Sequence, residues 1–74
     1  MGALAAAVLN KRSFSIAGHR TSVALEPEFW AVLEALATRR GLRLSQLVAA
    51  IDAAREARPL ASALRVAALK DETD

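Results

Sequence analysis

Residues 18–30 read GHRTSVALEPEFW, an alternating run that passes through a single proline into a helical pattern with no loop between the two. This junction constrains the fold more than any other stretch. From Arg20 to Leu25 polar and apolar residues alternate, so Thr21, Val23 and Leu25 share one face and Arg20, Ser22 and Ala24 the other. Pro27 suits the first turn of a helix, where its missing N–H costs nothing, and Glu26 and Glu28 suit the positive end of that helix. A strand that runs straight into a helix needs a mate for its backbone N–H and C=O groups.

The helical pattern that follows has Phe29, Val32, Leu33 and Leu36 in one stripe, with Ala37 closing it and Trp30 at its edge as a core aromatic. Arg39 and Arg40 followed by Gly41 make a stop, so the first helix is predicted over roughly 27–40. Ser45 is expected to cap a second helix carrying Leu47, Val48, Ile51 and Ala54, with Leu44 as a staple before the cap. Pro59 ends that helix near Ala57. A third segment, about 60–70, sets Leu60, Leu64 and Ala67 along one face. Residues 1–10 lack caps and turn chemistry and read as an N-terminal arm, residues 11–70 as the domain, and 71–74 (DETD) as a frayed acidic tail. The fold class expected is mostly α with one short β-strand.

Two mates for the strand are open. A chain of 74 residues buries only about 60% of its unfolded surface, and small domains commonly need a staple or a partner. With no cysteine, disulfides and thiolate metal sites are excluded, and His19 alone cannot complete a metal site. Oligomerisation is the staple left. The most economical mate is the same strand of a second copy, antiparallel across a two-fold axis. The competing mate is the alternating run 13–16 (SFSI), folded back through Ala17, Gly18 and His19 as a short hairpin. The first choice predicts a thermal midpoint that rises with protein concentration.

Charge is unevenly distributed. Residues 1–25 hold Lys11, Arg12 and Arg20 and no acid, whereas residues 26–74 hold seven Lys or Arg against eight acids, so the net +2 conceals a basic N-terminal third. That is the pattern of an anion-facing segment. No apolar run approaches the roughly 18 residues needed to cross a bilayer, and in the short run 2–9 the basic residues follow the apolar ones, unlike a signal peptide. The chain reads as a soluble cytoplasmic protein.

The runs RTSVAL, EPEFWAVLEALATRRG and LSQLVAAI resemble the ribbon-helix-helix proteins, among them dimeric repressors of the Arc and MetJ type. The stretch from KRSFSIAGHRTSVALEPEFW through IDAAR and LASALRV is similar to a bacterial subgroup of such domains. The resemblance covers roughly residues 11–69. It implies an intertwined homodimer whose two-stranded antiparallel ribbon enters the DNA major groove, here with an extra C-terminal helix, acting as a transcriptional regulator. Carried onto this sequence, the ribbon readers are Arg20, Ser22 and Ala24, of which Ala24 can only touch a thymine methyl. The DNA backbone contacts are Lys11, Arg12, Arg43, Ser45 and Gln46, the last three at the start of the second helix. The alternative is a protein-interaction, adaptor or antitoxin-like module of the same fold, docking through the arm or the third helix. Neither reading involves a cofactor.

Enzyme chemistry is not expected. The chain offers no cysteine, no tyrosine and one histidine, and it has neither a glycine-rich phosphate loop nor metal-ligand spacing.

Overall fold

A computed structural model describes residues 8–73, in which two strands precede three helices: β1 (Asn10–Ile16), β2 (His19–Leu25), α1 (Pro27–Arg39), α2 (Leu44–Ala54) and α3 (Leu60–Thr73). The arm expected over 1–10 lies outside the described residues up to position 7, and its last residue already belongs to β1.

The strand that needed a mate finds it in its own chain. β1 and β2 pair antiparallel, with Asn10 opposite Leu25, Ser13 opposite Ser22 and Ile16 opposite His19. There are thus two strands in the chain where one was expected, and β1 pairs one edge of β2. The hairpin is longer than residues 13–16 alone would allow, because Asn10, Lys11 and Arg12 extend β1 to the full length of β2. Ala17 (φ 52°) and Gly18 (φ 82°) both turn with positive φ, as a two-residue type I′ connection requires.

Alternation along both strands buries Phe14, Ile16, Val23 and Leu25 against the helices. From α1 the buried residues are Trp30, Leu33, Leu36 and Ala37, with Phe29 and Val32 only partly covered, so the apolar stripe is centred one position later than its spacing suggested. α2 supplies Leu47 and Val48; α3 supplies Ala63, Leu64 and Ala68. Trp30 is 1% exposed, its ring lies 5.9 Å from that of Phe14, and its Nε1–H donates to the Asn10 carbonyl at 2.8 Å. That bond ties the start of β1 to α1. Among the described residues no buried side-chain polar atom lacks a partner.

The helix ends follow local chemistry. The α1 terminus is a Schellman arrangement: Gly41 (φ 71°) lets its own N–H reach the Thr38 carbonyl at 3.0 Å and the Leu42 N–H reach Ala37 at 2.8 Å. α2 departs from expectation at both ends. Its N-cap is Arg43 and not Ser45, because the Gln46 side chain reaches back and accepts the Arg43 N–H at 2.8 Å, starting the helix two residues earlier than a serine cap would. It ends at Ala54, three residues before Ala57, where Arg55 donates from Nε to Asp52 Oδ1 (2.7 Å) and from Nη1 to the Arg58 carbonyl (2.8 Å) and Glu56 takes φ 57°. α3 runs on through Thr73 where fraying was expected from residue 71, and its Asp71 carboxylate is ion-paired with Arg39 of α1.

Candidate nucleic-acid interface

Because side chains alternate across a strand, the hairpin has two chemically different faces. The inner one builds the core. The outer one carries Lys11, Ser13 and Ser15 from β1 and Arg20, Ser22 and Ala24 from β2, in the cross-strand rows Lys11–Ala24, Ser13–Ser22 and Ser15–Arg20. All are exposed except the half-buried Ala24. The Ser13 and Ser22 hydroxyls share a hydrogen bond of 2.8 Å in the central row.

This face holds two cations, three hydroxyls and no acid. Among the described residues Lys11 and Arg20 are in no ion pair, as are Arg40, Arg43 and Arg58, whereas Arg12, Arg39, Arg55 and Arg65 are each held by a carboxylate. A pair of antiparallel strands fits the roughly 12 Å width of the major groove, and arginine, lysine and serine are donors to base edges or phosphates. The outer face thus gathers cationic and hydroxyl donors on one side of the hairpin.

The structure brings together some expected site residues and separates others. Arg20, Ser22 and Ala24 point outward as their alternation required. Lys11 joins them on the same face. Arg12 does not: it lies on the inner face, its guanidinium 5.0 Å from the centre of the Trp30 ring and ion-paired with Glu34 of α1. Arg43, Ser45 and Gln46 are exposed at the first turn of α2, where the opening N–H groups of a helix and its dipole favour an anion. Gln46 spends its carbonyl oxygen on the Arg43 N–H and retains its NH₂ donors. Ser13 and Ser15, absent from the sequence-based set, complete the outer face; the alternation of SFSI carried that signal once a hairpin was considered.

At the opposite end of β2, Glu26 is the N-cap residue of α1 and accepts from Arg65 Nε at 3.0 Å, while the same guanidinium lies 5.8 Å from the Phe29 ring centre. Hydrogen bonding to backbone, and then to Arg65, holds the Glu26 carboxyl below its ordinary value of 4.5. This cluster fastens α3 to the strand–helix junction and lies away from the outer face.

No group of metal-ligating side chains, and no helix long and apolar enough to cross a membrane, occurs among the described residues. Compared with known proteins, a ribbon-helix-helix domain model matches residues 9–71. A solved structure, that of an uncharacterized protein from Bordetella pertussis Tohama I, is similar at 36% identity and a TM-score of 0.77, over 90% of this chain and 58% of that one. The chain thus spans little more than half the length of that neighbour. No curated protein matches it.

Proposed function

Since this chain belongs to the ribbon-helix-helix family, we propose that it binds double-stranded DNA, laying the outer face of the β1–β2 hairpin in the major groove as a transcriptional regulator. The observation that carries this reading is the acid-free outer face, on which the exposed Lys11 and Arg20 are in no ion pair among the described residues. Arg20 forks onto a guanine edge, Ser22 and Ser13 donate to or accept from base edges, and Ala24 leaves room for a thymine methyl. The start of α2, with Arg43, Ser45 and Gln46, holds a phosphate.

Ribbon-helix-helix domains typically dimerise. In this chain one edge of β2 is paired with β1 and its other edge is free among the described residues, so a homodimer would join its two hairpins through that edge or through the helices. Arg12, facing α1, supports the hairpin and does not touch DNA.

The test is fluorescence anisotropy of labelled duplexes, one of random sequence and one from the promoter of the protein's own gene, at two salt concentrations. Binding should weaken with a log–log salt slope near −0.9 per phosphate contacted. Arg20→Ala should lower affinity with the fold intact, whereas Arg12→Ala should lower stability and leave the affinity of the folded protein unchanged. Affinity unaffected by Arg20→Ala would remove the ribbon from the proposal.

A further inference from the structure

Between α2 and α3 runs a groove of about 380 Å³, which continues past Ile51, Ala67 and Lys70 into a second stretch of about 240 Å³ beside the end of α1. Its floor is apolar. Leu47, Ile51 and Ala54 supply it from α2 at helical spacing, and Ala63, Val66 and Ala67 supply it from α3. Its rim is charged, with Arg40 at the α1 end, Lys70 beside the middle, and Arg55 and Arg58 at the turn between α2 and α3. Two acids also line it, of which Asp71 is ion-paired with Arg39. Arg55 is held by Asp52, so among the described residues Glu56 stands against Arg40, Arg58 and Lys70, and the groove is net positive. None of its lining residues belongs to the outer face of the hairpin, and Arg43, Ser45 and Gln46 lie outside it.

We infer that this groove receives an amphipathic helix of another protein, one whose apolar stripe is flanked by acidic residues at both ends. The shape sets the length and the anchors. From Leu47 to Ala54 the floor follows α2 for about 10 Å at 1.5 Å per residue, and the cations beyond each end extend it to about three helical turns. The small side chains on its walls let a third helix approach at the near end of the 8–10 Å range for packed helices. A helix lying there inserts anchors at i, i+3 or i+4, and i+7.

Charge decides between occupants. A phosphate backbone would meet the cations but bring nothing apolar to cover the floor. A second copy docking groove to groove across a two-fold axis would set Arg58 and Lys70 against cations of the same kind, because such a contact uses one patch twice. An acidic amphipathic helix satisfies floor and rim together. The methylene stems of the rim Arg and Lys side chains extend the apolar contact while their heads reach carboxylates.

The experiment is an NMR titration of the isotope-labelled full chain with a stapled helical peptide of about 14 residues, with leucines at i, i+4 and i+7 and glutamates in its first and last turns. A second peptide carries lysine in place of every glutamate. The acidic peptide should bind, moving the amide signals of Ile51, Ala54, Ala63 and Ala67 and leaving those of Lys11, Arg20 and Ser22 in place. The lysine peptide should bind at least about tenfold more weakly. Ala54→Arg fills the floor while adding positive charge, so it should abolish peptide binding without lowering affinity for duplex DNA. Arg58→Glu should weaken binding of the acidic peptide and strengthen that of the lysine peptide, a reversal that a merely structural role for Arg58 would not produce. Both variants replace exposed side chains, and their thermal midpoints report that the fold is kept. Equal binding of the two peptides, signals moving mainly outside the groove, wild-type affinity in Ala54→Arg, or no binding of the acidic peptide would each overturn the inference. The DNA-binding reading is tested separately by the duplex titration and stands or falls on that alone.

Discussion

Ser13 Oγ and Ser22 Oγ lie 2.8 Å apart in the central row of the hairpin, on the face that carries no acid. On the DNA-binding proposal, a negative charge placed there would repel the phosphates and base acceptors and draw Arg20 and Lys11, on the same face, away from them. Ser22→Asp should therefore cut DNA affinity at least about tenfold, with the thermal midpoint changed by only a few degrees, since an exposed surface substitution is usually worth within about 0.5 kcal/mol. Anisotropy and a thermal melt on the same sample check both parts.

Trp30 ties α1 to β1 at two points, its ring lying against that of Phe14 and its Nε1–H donating to the Asn10 carbonyl, and it fills the core beneath the hairpin. Trp30→Ala should cost about 3–5 kcal/mol, the usual penalty for emptying a large aromatic site. Trp30→Phe keeps most of the packing and loses the N–H donor, so about 1–3 kcal/mol is expected. Denaturant titration followed by circular dichroism separates the two.

Ala17 holds φ 52° in the hairpin turn, a conformation that costs a residue with a Cβ roughly 1–2 kcal/mol. Asparagine tolerates it and is the preferred partner of a following glycine in such turns. Ala17→Asn should raise stability by about 0.5–1 kcal/mol, or roughly 2–8 °C in the thermal midpoint of a domain this size. No increase would mean that the turn is not of this type.

Glu26 gives a pH dependence whose sign follows from its lowered pKa. A carboxylate with a depressed folded-state pKa binds protons more readily when unfolded, so its stabilising contribution is complete above the ordinary value of 4.5 and is lost as pH falls through the lower folded value. Wild type should melt higher than Glu26→Gln near neutrality, and the gap should close as the pH is taken below 4.5. Thermal melts of both proteins, from neutral pH down through the acid range, measure it. A gap constant with pH would assign the effect to packing.

Pairing with β1 satisfies one edge of β2 within its own chain, so closure of the core does not wait on a second strand. With the hairpin and three helices closing one core, the thermal midpoint should be independent of protein concentration over a hundredfold range. A midpoint that climbs with concentration would restore the second copy to the folded core.

The elements themselves were legible because they rest on local physics. A period of two put Val23 and Leu25 inside and Arg20 and Ser22 outside; Pro27 and Gly41 bounded α1 through backbone geometry that needs no distant contact. Where a cap depended on which of several neighbours reached the backbone first, as with Gln46 and Arg43, the sequence pointed two residues away from the answer. What it left open was every choice between distant partners. Arg12 and Lys11 are adjacent and both basic, yet one is held by Glu34 and Trp30 and the other faces outward. The mate of β2 was likewise undecided, because the backbone of a strand pairs equally well with a second copy or with a preceding segment of suitable alternation. Tertiary structure decided it: β1 carries Phe14 and Ile16 in register with the helices, and a two-residue turn closes that pairing for less conformational entropy than bringing two chains together.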